Sequence, residues 1–133
     1  RKMTVRKKSV YDTRFFAVLY YSKIRDGIDS IKQELAARHA KFISTITIYE
    51  VFKLTLQTDG REVADLRIAL LRKDFKVMAV TEMVAREAAL IWHKYHVPMA
   101  DAIIAATAKS LKADCVTNDP HLTSMKEIKT RWI

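Results

Sequence analysis

Four acidic residues, Asp12, Glu50, Asp101 and Asp119, stand in apolar company: Val10-Tyr11-Asp12, Ile48-Tyr49-Glu50-Val51, Met99-Ala100-Asp101-Ala102-Ile103-Ile104 and Val116-Thr117-Asn118-Asp119. A carboxylate among such neighbours is drawn partly out of water and needs a compensating partner. If the four meet within a few ångströms they cannot all stay ionised without a cation, because like charges raise one another's pKa. A divalent metal resolves that conflict. Oxygen ligands favour Mg2+ or Mn2+ over zinc or copper, and such a site polarises a phosphoryl oxygen and activates water for in-line attack. The chemistry in prospect is hydrolysis of a phosphodiester.

Each acid also has an ordinary reading, because Asp and Glu at helix starts cap backbone N–H groups and oppose the helix dipole. Asp119-Pro120 reads as an N-cap followed by Pro at the first helical position, and Thr47-Ile48-Tyr49-Glu50 fits a capping box. Asp101 reads as a first-turn acid behind Pro98. The metal reading therefore depends on the fold bringing the four together.

The elements that would do so alternate along the chain. The hydrophobic patterning predicts strands at Ser9–Tyr11, Phe42–Ile43, Val77–Val80 and Cys115–Thr117, with Arg131–Ile133 as a short last strand. Helices are predicted over Arg14–Ser22, Ile28–Arg38, Thr47–Gln57, Val63–Leu71, Glu82–Tyr95 and Ala100–Leu111, with breaks at Thr58-Asp59-Gly60 and Val97-Pro98. Short apolar strands separated by helices imply an α/β fold, a three-layer α/β/α sandwich around a central parallel sheet. In such sheets, sites collect where strands hand over to helices at their carboxyl ends. All four acids fall at or near helix beginnings.

The 133 residues suit one domain, here expected as a basic tail over 1–8 and a single nuclease-like domain over 9–133. Half the chain is apolar and 29% is charged, which excludes a disordered protein. Cys115 is the lone cysteine, so an intrachain disulfide and a multi-thiolate metal site are excluded and a reducing cytoplasm is expected. No apolar run approaches the roughly 18 to 20 residues of a membrane span, and the N-terminus lacks a signal peptide's apolar core. The net charge is +9, and Arg1, Lys2, Arg6, Lys7 and Lys8 supply much of it. A basic surface favours a polyanionic partner such as nucleic acid, and a solvated tail is the plain alternative.

At Val10-Tyr11-Asp12-Thr13, Ser44 through Glu50, Met99 through Ala108 (Met-Ala-Asp-Ala-Ile-Ile-Ala-Ala-Thr-Ala) and Val116-Thr117-Asn118-Asp119, the chain resembles the PIN domain, and within it the VapC-like toxins of toxin–antitoxin pairs. The segments occur in that family's order and spacing and cover nearly everything after the basic tail. The resemblance implies metal-dependent cleavage of RNA, a homodimer and a small cognate antitoxin that occupies the active site. It also implies that Asp12, Glu50, Asp101 and Asp119 bind Mg2+ or Mn2+, with Thr13 and Thr117 orienting a carboxylate or water. Arg14 is expected to pair with a site carboxylate when metal is absent. One departure stands out: Asp119 is followed by Pro120, His121 and Leu122, where the family often carries a charged residue, an acid and an aromatic.

The remaining candidates read more plainly. His93 and His96 are expected to face solvent, and Trp92, Tyr95, Phe15, Phe16, Tyr20 and Tyr21 to pack in the core or an interface. Tyr49 reads either as a buried ring or as a group approaching substrate, and Cys115 as a small buried hydrophobe. Two other functions stand beside the toxin reading: a housekeeping PIN nuclease of RNA processing or decay, and a non-catalytic basic domain that binds RNA or protein.

Overall fold

The computed structural model describes residues 7–23 and 25–133. Arg1, Lys2 and Arg6 of the basic segment lie outside them. Lys8 is not part of a tail, because it opens the first strand opposite Ala40, and its ammonium donates to the Leu111 carbonyl at 3.4 Å.

Five strands, β1 (Lys8–Tyr11), β2 (Ala40–Ser44), β3 (Lys76–Met78), β4 (Asp114–Val116) and β5 (Thr130–Arg131), form one sheet in the order β3-β2-β1-β4-β5. Every pairing is parallel. The helices are α1 (Thr13–Tyr21), α2 (Arg25–Ala36), α3 (Thr45–Asp59), α4 (Arg61–Asp74), α5 (Glu82–Tyr95), α6 (Met99–Leu111) and α7 (Pro120–Thr123).

The period-2 alternation of the strands divides the core in two. Val10, Phe42 and Cys115 point to one face and pack with Ala88 and Ile91 of α5 and Ile104, Ala105 and Ala108 of α6. Their neighbours Tyr11, Ile43 and Val116 point to the other face and meet Phe15 and Phe16 of α1, Ile31 of α2, Val51 of α3 and Leu71 of α4. Helices thus cover both faces, as a parallel sheet requires. The Ala-rich α6 lies close over the sheet because its buried positions are small.

From β1 the chain winds outward through β2 to β3, then crosses back to place β4 on the other side of β1. The winding direction reverses between β1 and β4. At such a switch point the loops leaving the two strands diverge and open a crevice at the carboxyl edge. Asp12 directly follows β1, and Asp119 follows β4 by three residues.

A second polar assembly holds the sheet together from within. Arg131 of β5 makes a two-pronged contact with Glu34 of α2, at 2.8 and 2.9 Å, and also donates to Ser9 of β1 at 2.8 Å. The Tyr11 hydroxyl donates to the same Glu34 carboxylate and lies 2.8 Å from His39 Nε2. Ser9, Tyr11 and His39 are buried and Glu34 nearly so, while Arg131 is about a quarter exposed and its Nε, which makes no hydrogen bond, lies 3.6 Å from Asp114 Oδ2.

Candidate metal centre at the carboxyl edge of the sheet

Asp12 is almost wholly buried and acts as the N-cap of α1. One carboxylate oxygen accepts the Thr13 backbone N–H at 2.7 Å, and the other accepts the Thr117 hydroxyl at 2.7 Å. Thr13 turns its own hydroxyl to Glu50 Oε1 at 2.5 Å. Thr117 Oγ1 in turn accepts the Asp119 backbone N–H at 3.0 Å. Two threonines, one beyond each central strand, therefore tie the acids into pairs: Thr13 joins Asp12 to Glu50, and Thr117 joins Asp12 to Asp119.

Asp101 enters from the first turn of α6, behind Pro98, and is buried. Asp119 caps α7 through the His121 N–H, at 2.9 Å, with Pro120 in the position where no N–H is needed. The His121 ring closes the last gap, with Nδ1 3.2 Å from Asp101 Oδ2 and 3.1 Å from Asp119 Oδ1. Arg14 Nε lies 3.5 Å from Asp119 Oδ2, and its NH1 group donates to Asn118 Oδ1 at 3.3 Å. All four sequence-selected acids thus lie in one linked cluster, together with Thr13, Thr117 and Arg14.

Glu50 arrives by a different route from the one expected. Ser44, not Thr47, caps α3, accepting the Ile46 N–H at 3.1 Å, so Glu50 lies in the second turn and makes no capping box. Thr47 is fully buried inside the helix. Ser44 wins because β2 runs through it without a break, and a serine at that junction offers its side chain to the first free N–H.

The electrostatics report the crowding. Burial pushes the Asp101 carboxyl up from the ordinary 3.8 to about 6; the charges of Asp119, Asp12 and Glu50 push the same way, and His121 opposes them. Asp12 is also raised, first by burial and further by Asp119 and Glu50, against the Thr117 and Thr13 hydrogen bonds. Among the described residues Asp101 has no polar side-chain partner except the His121 ring. A half-compensated carboxylate beside three others suits a small, hard dication, and so does a donor set made chiefly of carboxylate oxygens. One oxygen each from Asp101 and Asp119 and one nitrogen of His121 already lie within 4.8 Å of one another.

The PIN domain family model matches residues 10–128, a stretch that contains all four acids. The chain belongs to the PIN domain family. No curated protein sequence matches it significantly. Solved structures share the fold at low identity. VapBC2 from Rickettsia felis, bound to a DNA fragment from its promoter, matches with a TM-score of 0.78 at 11% identity, covering 95% of this chain and 98% of that one. A toxin–antitoxin complex from Klebsiella pneumoniae matches at 0.72 and 20% identity, covering 94% and 99%. VapC20 of Mycobacterium tuberculosis, a sarcin–ricin loop cleaving toxin, matches at 0.72 and 18% identity, covering 91% and 98%.

His121 of this PIN domain, part of the departure from the family pattern after Asp119, is the group beside Asp101 and Asp119 that the sequence alone does not single out. An Asp-Pro cap holds the N–H two residues on, which keeps that residue's side chain beside the capping acid. Elsewhere the ring expectations divide. Phe15 and Phe16 are buried, and Tyr20 and Tyr21 flank the Arg67 guanidinium at 4.3 and 5.1 Å. Trp92 is half-exposed, and Tyr49, at 58% exposure, is not a buried ring. His93 and His96 face solvent, and Cys115 is fully buried in β4.

The raised Asp101 carboxyl has a measurable consequence in metal-free protein. The folded state holds that proton more tightly than the unfolded chain, so the stabilisation is complete below pH 3.8 and is lost as the pH rises through about 6. The melting-temperature difference between wild type and Asp101→Asn should therefore change steadily over that window, in the direction that disfavours wild type at higher pH. A difference that stays flat from pH 4 to pH 7 contradicts the assignment.

Proposed function

We propose that this PIN domain is a divalent-metal-dependent endoribonuclease, the toxin of a toxin–antitoxin pair. The observation that carries the reading is the convergence of four acids, from four separate segments, on the switch point of the sheet. Asp12, Glu50, Asp101 and Asp119 would hold Mg2+ or Mn2+. When bound, the cation supplies Lewis acidity and an activated water for attack on a phosphodiester.

The chain's own residues prepare that chemistry. Thr13 and Thr117 hold Glu50 and Asp12 in fixed rotamers, so the carboxylates are preorganised before a substrate arrives. Arg14 stands at the rim, where its guanidinium can move from Asp119 to a substrate phosphate. The net charge of +9 draws the polyanion toward a site that is itself negative. No protein nucleophile is required.

The toxin role is supported by the likeness in fold to the toxin–antitoxin and VapC structures. It carries with it a small antitoxin that covers the site, a homodimer and a cytoplasmic location. Among the described residues no helix is long and apolar enough to cross a membrane. The test incubates the full chain with a structured RNA and with DNA of the same sequence. We expect RNA cleavage in Mg2+ or Mn2+, none in excess chelator, and release of inhibition when a co-purified small protein is stripped away. RNA cleavage that chelator leaves unchanged, or none with any divalent ion, would overturn the reading.

A further inference from the structure

We propose that His121 is a nitrogen ligand of the metal centre and biases it toward Mn2+ over Mg2+. This rests on the metal-dependent reading above and adds a donor to it.

The geometry is specific. Nδ1 stands between Asp101 Oδ2 and Asp119 Oδ1, at 3.2 and 3.1 Å, where the metal-free ring donates an N–H to the carboxylates; once that proton is lost, the same nitrogen would be a third donor beside those two oxygens. The ring is held there by its backbone: the His121 N–H is fixed by the Asp119 cap at 2.9 Å, and Pro120 restricts the turn before it. About half of the side chain faces solvent, so the ring sits at the mouth of the site rather than in the core. The other oxygen of Asp119 faces Arg14, which leaves Oδ1 to the His121 side. Asp101 has no other polar side-chain partner among the described residues.

The choice of metal follows from ligand chemistry. Mg2+ demands oxygen, keeps several of its waters and gains little from imidazole. Mn2+ accepts carboxylate oxygen equally well, and as a first-row transition ion it also takes a nitrogen donor. A set of carboxylates with one imidazole therefore separates two ions that a purely acidic set would treat nearly alike.

Mn2+ is added to the full-length, metal-stripped protein, and pulsed EPR reads nitrogen coupling at the bound ion. Calorimetry measures the Mn2+ and Mg2+ affinities in parallel. We expect 14N coupling in wild type and its loss in both His121→Ala and His121→Asn. Both variants should bind Mn2+ at least about 10-fold more weakly, with Mg2+ changed by less than about 3-fold. Circular dichroism of the two variants confirms that a half-exposed side chain was removed from a folded protein. Mn2+ bound without nitrogen coupling, coupling that survives in the variants, or an equal loss for both ions overturns this inference and leaves the nuclease reading standing. Failure of wild type to bind either ion overturns both.

Discussion

In Asp101→Asn, metal-dependent RNA cleavage should fall by about 10²–10³-fold or more, while the metal-free protein should melt higher than wild type above pH 6. The two effects come from one side chain. Asp101 is buried, its carboxyl is pushed up to about 6, and three other acids repel its charge, so the metal-free fold is strained by keeping it ionised. Asparagine keeps the shape and removes the charge. The stability gained is on the order of 1–3 kcal/mol, from the usual equivalence of about 1.4 kcal/mol per pKa unit. The same change withdraws an anionic ligand from the centre of the cluster. Cleavage kinetics and thermal denaturation in chelator measure the two halves. A variant that cleaves within tenfold of wild type, or that melts lower without metal, shows that Asp101 is a first-turn acid of α6 and not a member of a metal site.

The second large effect lies away from that cluster. Glu34→Ala should destabilise the protein by about 1–3 kcal/mol, because it takes the two-pronged partner from a partly buried Arg131 and leaves it Asp114, 3.6 Å from its Nε, as the remaining acid. The Arg131 guanidinium, helped by the Tyr11 hydroxyl, holds the Glu34 carboxyl down to about 2 from the ordinary 4.5. The sign is therefore opposite to that of Asp101: the stabilisation from Glu34 is fully present above pH 4.5 and fades as the pH falls toward about 2. Urea denaturation at pH 7 and pH 3 measures both the size and the direction. A loss below about 1 kcal/mol at pH 7 would mean that water enters and solvates Arg131.

How much of this was legible beforehand depends on the range over which the information acts. The strands and helices announced themselves locally, through apolar alternation in Val10-Tyr11 and Phe42-Ile43 and helical spacing in Glu82–Tyr95, and the structure departs mainly at their ends. Ser44 shows why the ends fail: a helix start is decided by which side chain reaches a free N–H, and Thr47 fits the same pattern as well as Ser44 does. The four acids could be picked because each adjoins an apolar run at a strand or helix boundary. His121 could not, since its position between Asp101 and Asp119 is set by two segments that meet only in space. The same holds for Glu34, Tyr11, His39 and Arg131. Tyr11 reads as a strand residue and Glu34 as a helix-surface acid until β5 brings Arg131 beneath them.

The position of β4 beside β1 bears on the order in which the molecule is made. Asp12 and Glu50 emerge from the ribosome about fifty residues or more before Asp101, and Thr117 and Asp119 follow later still. Until β4 slots in next to β1, the carboxylates already made have nothing to converge with, and no nascent fragment short of about residue 119 carries the complete set. A message cut short upstream of that point therefore yields a chain whose acidic cluster is incomplete from the start.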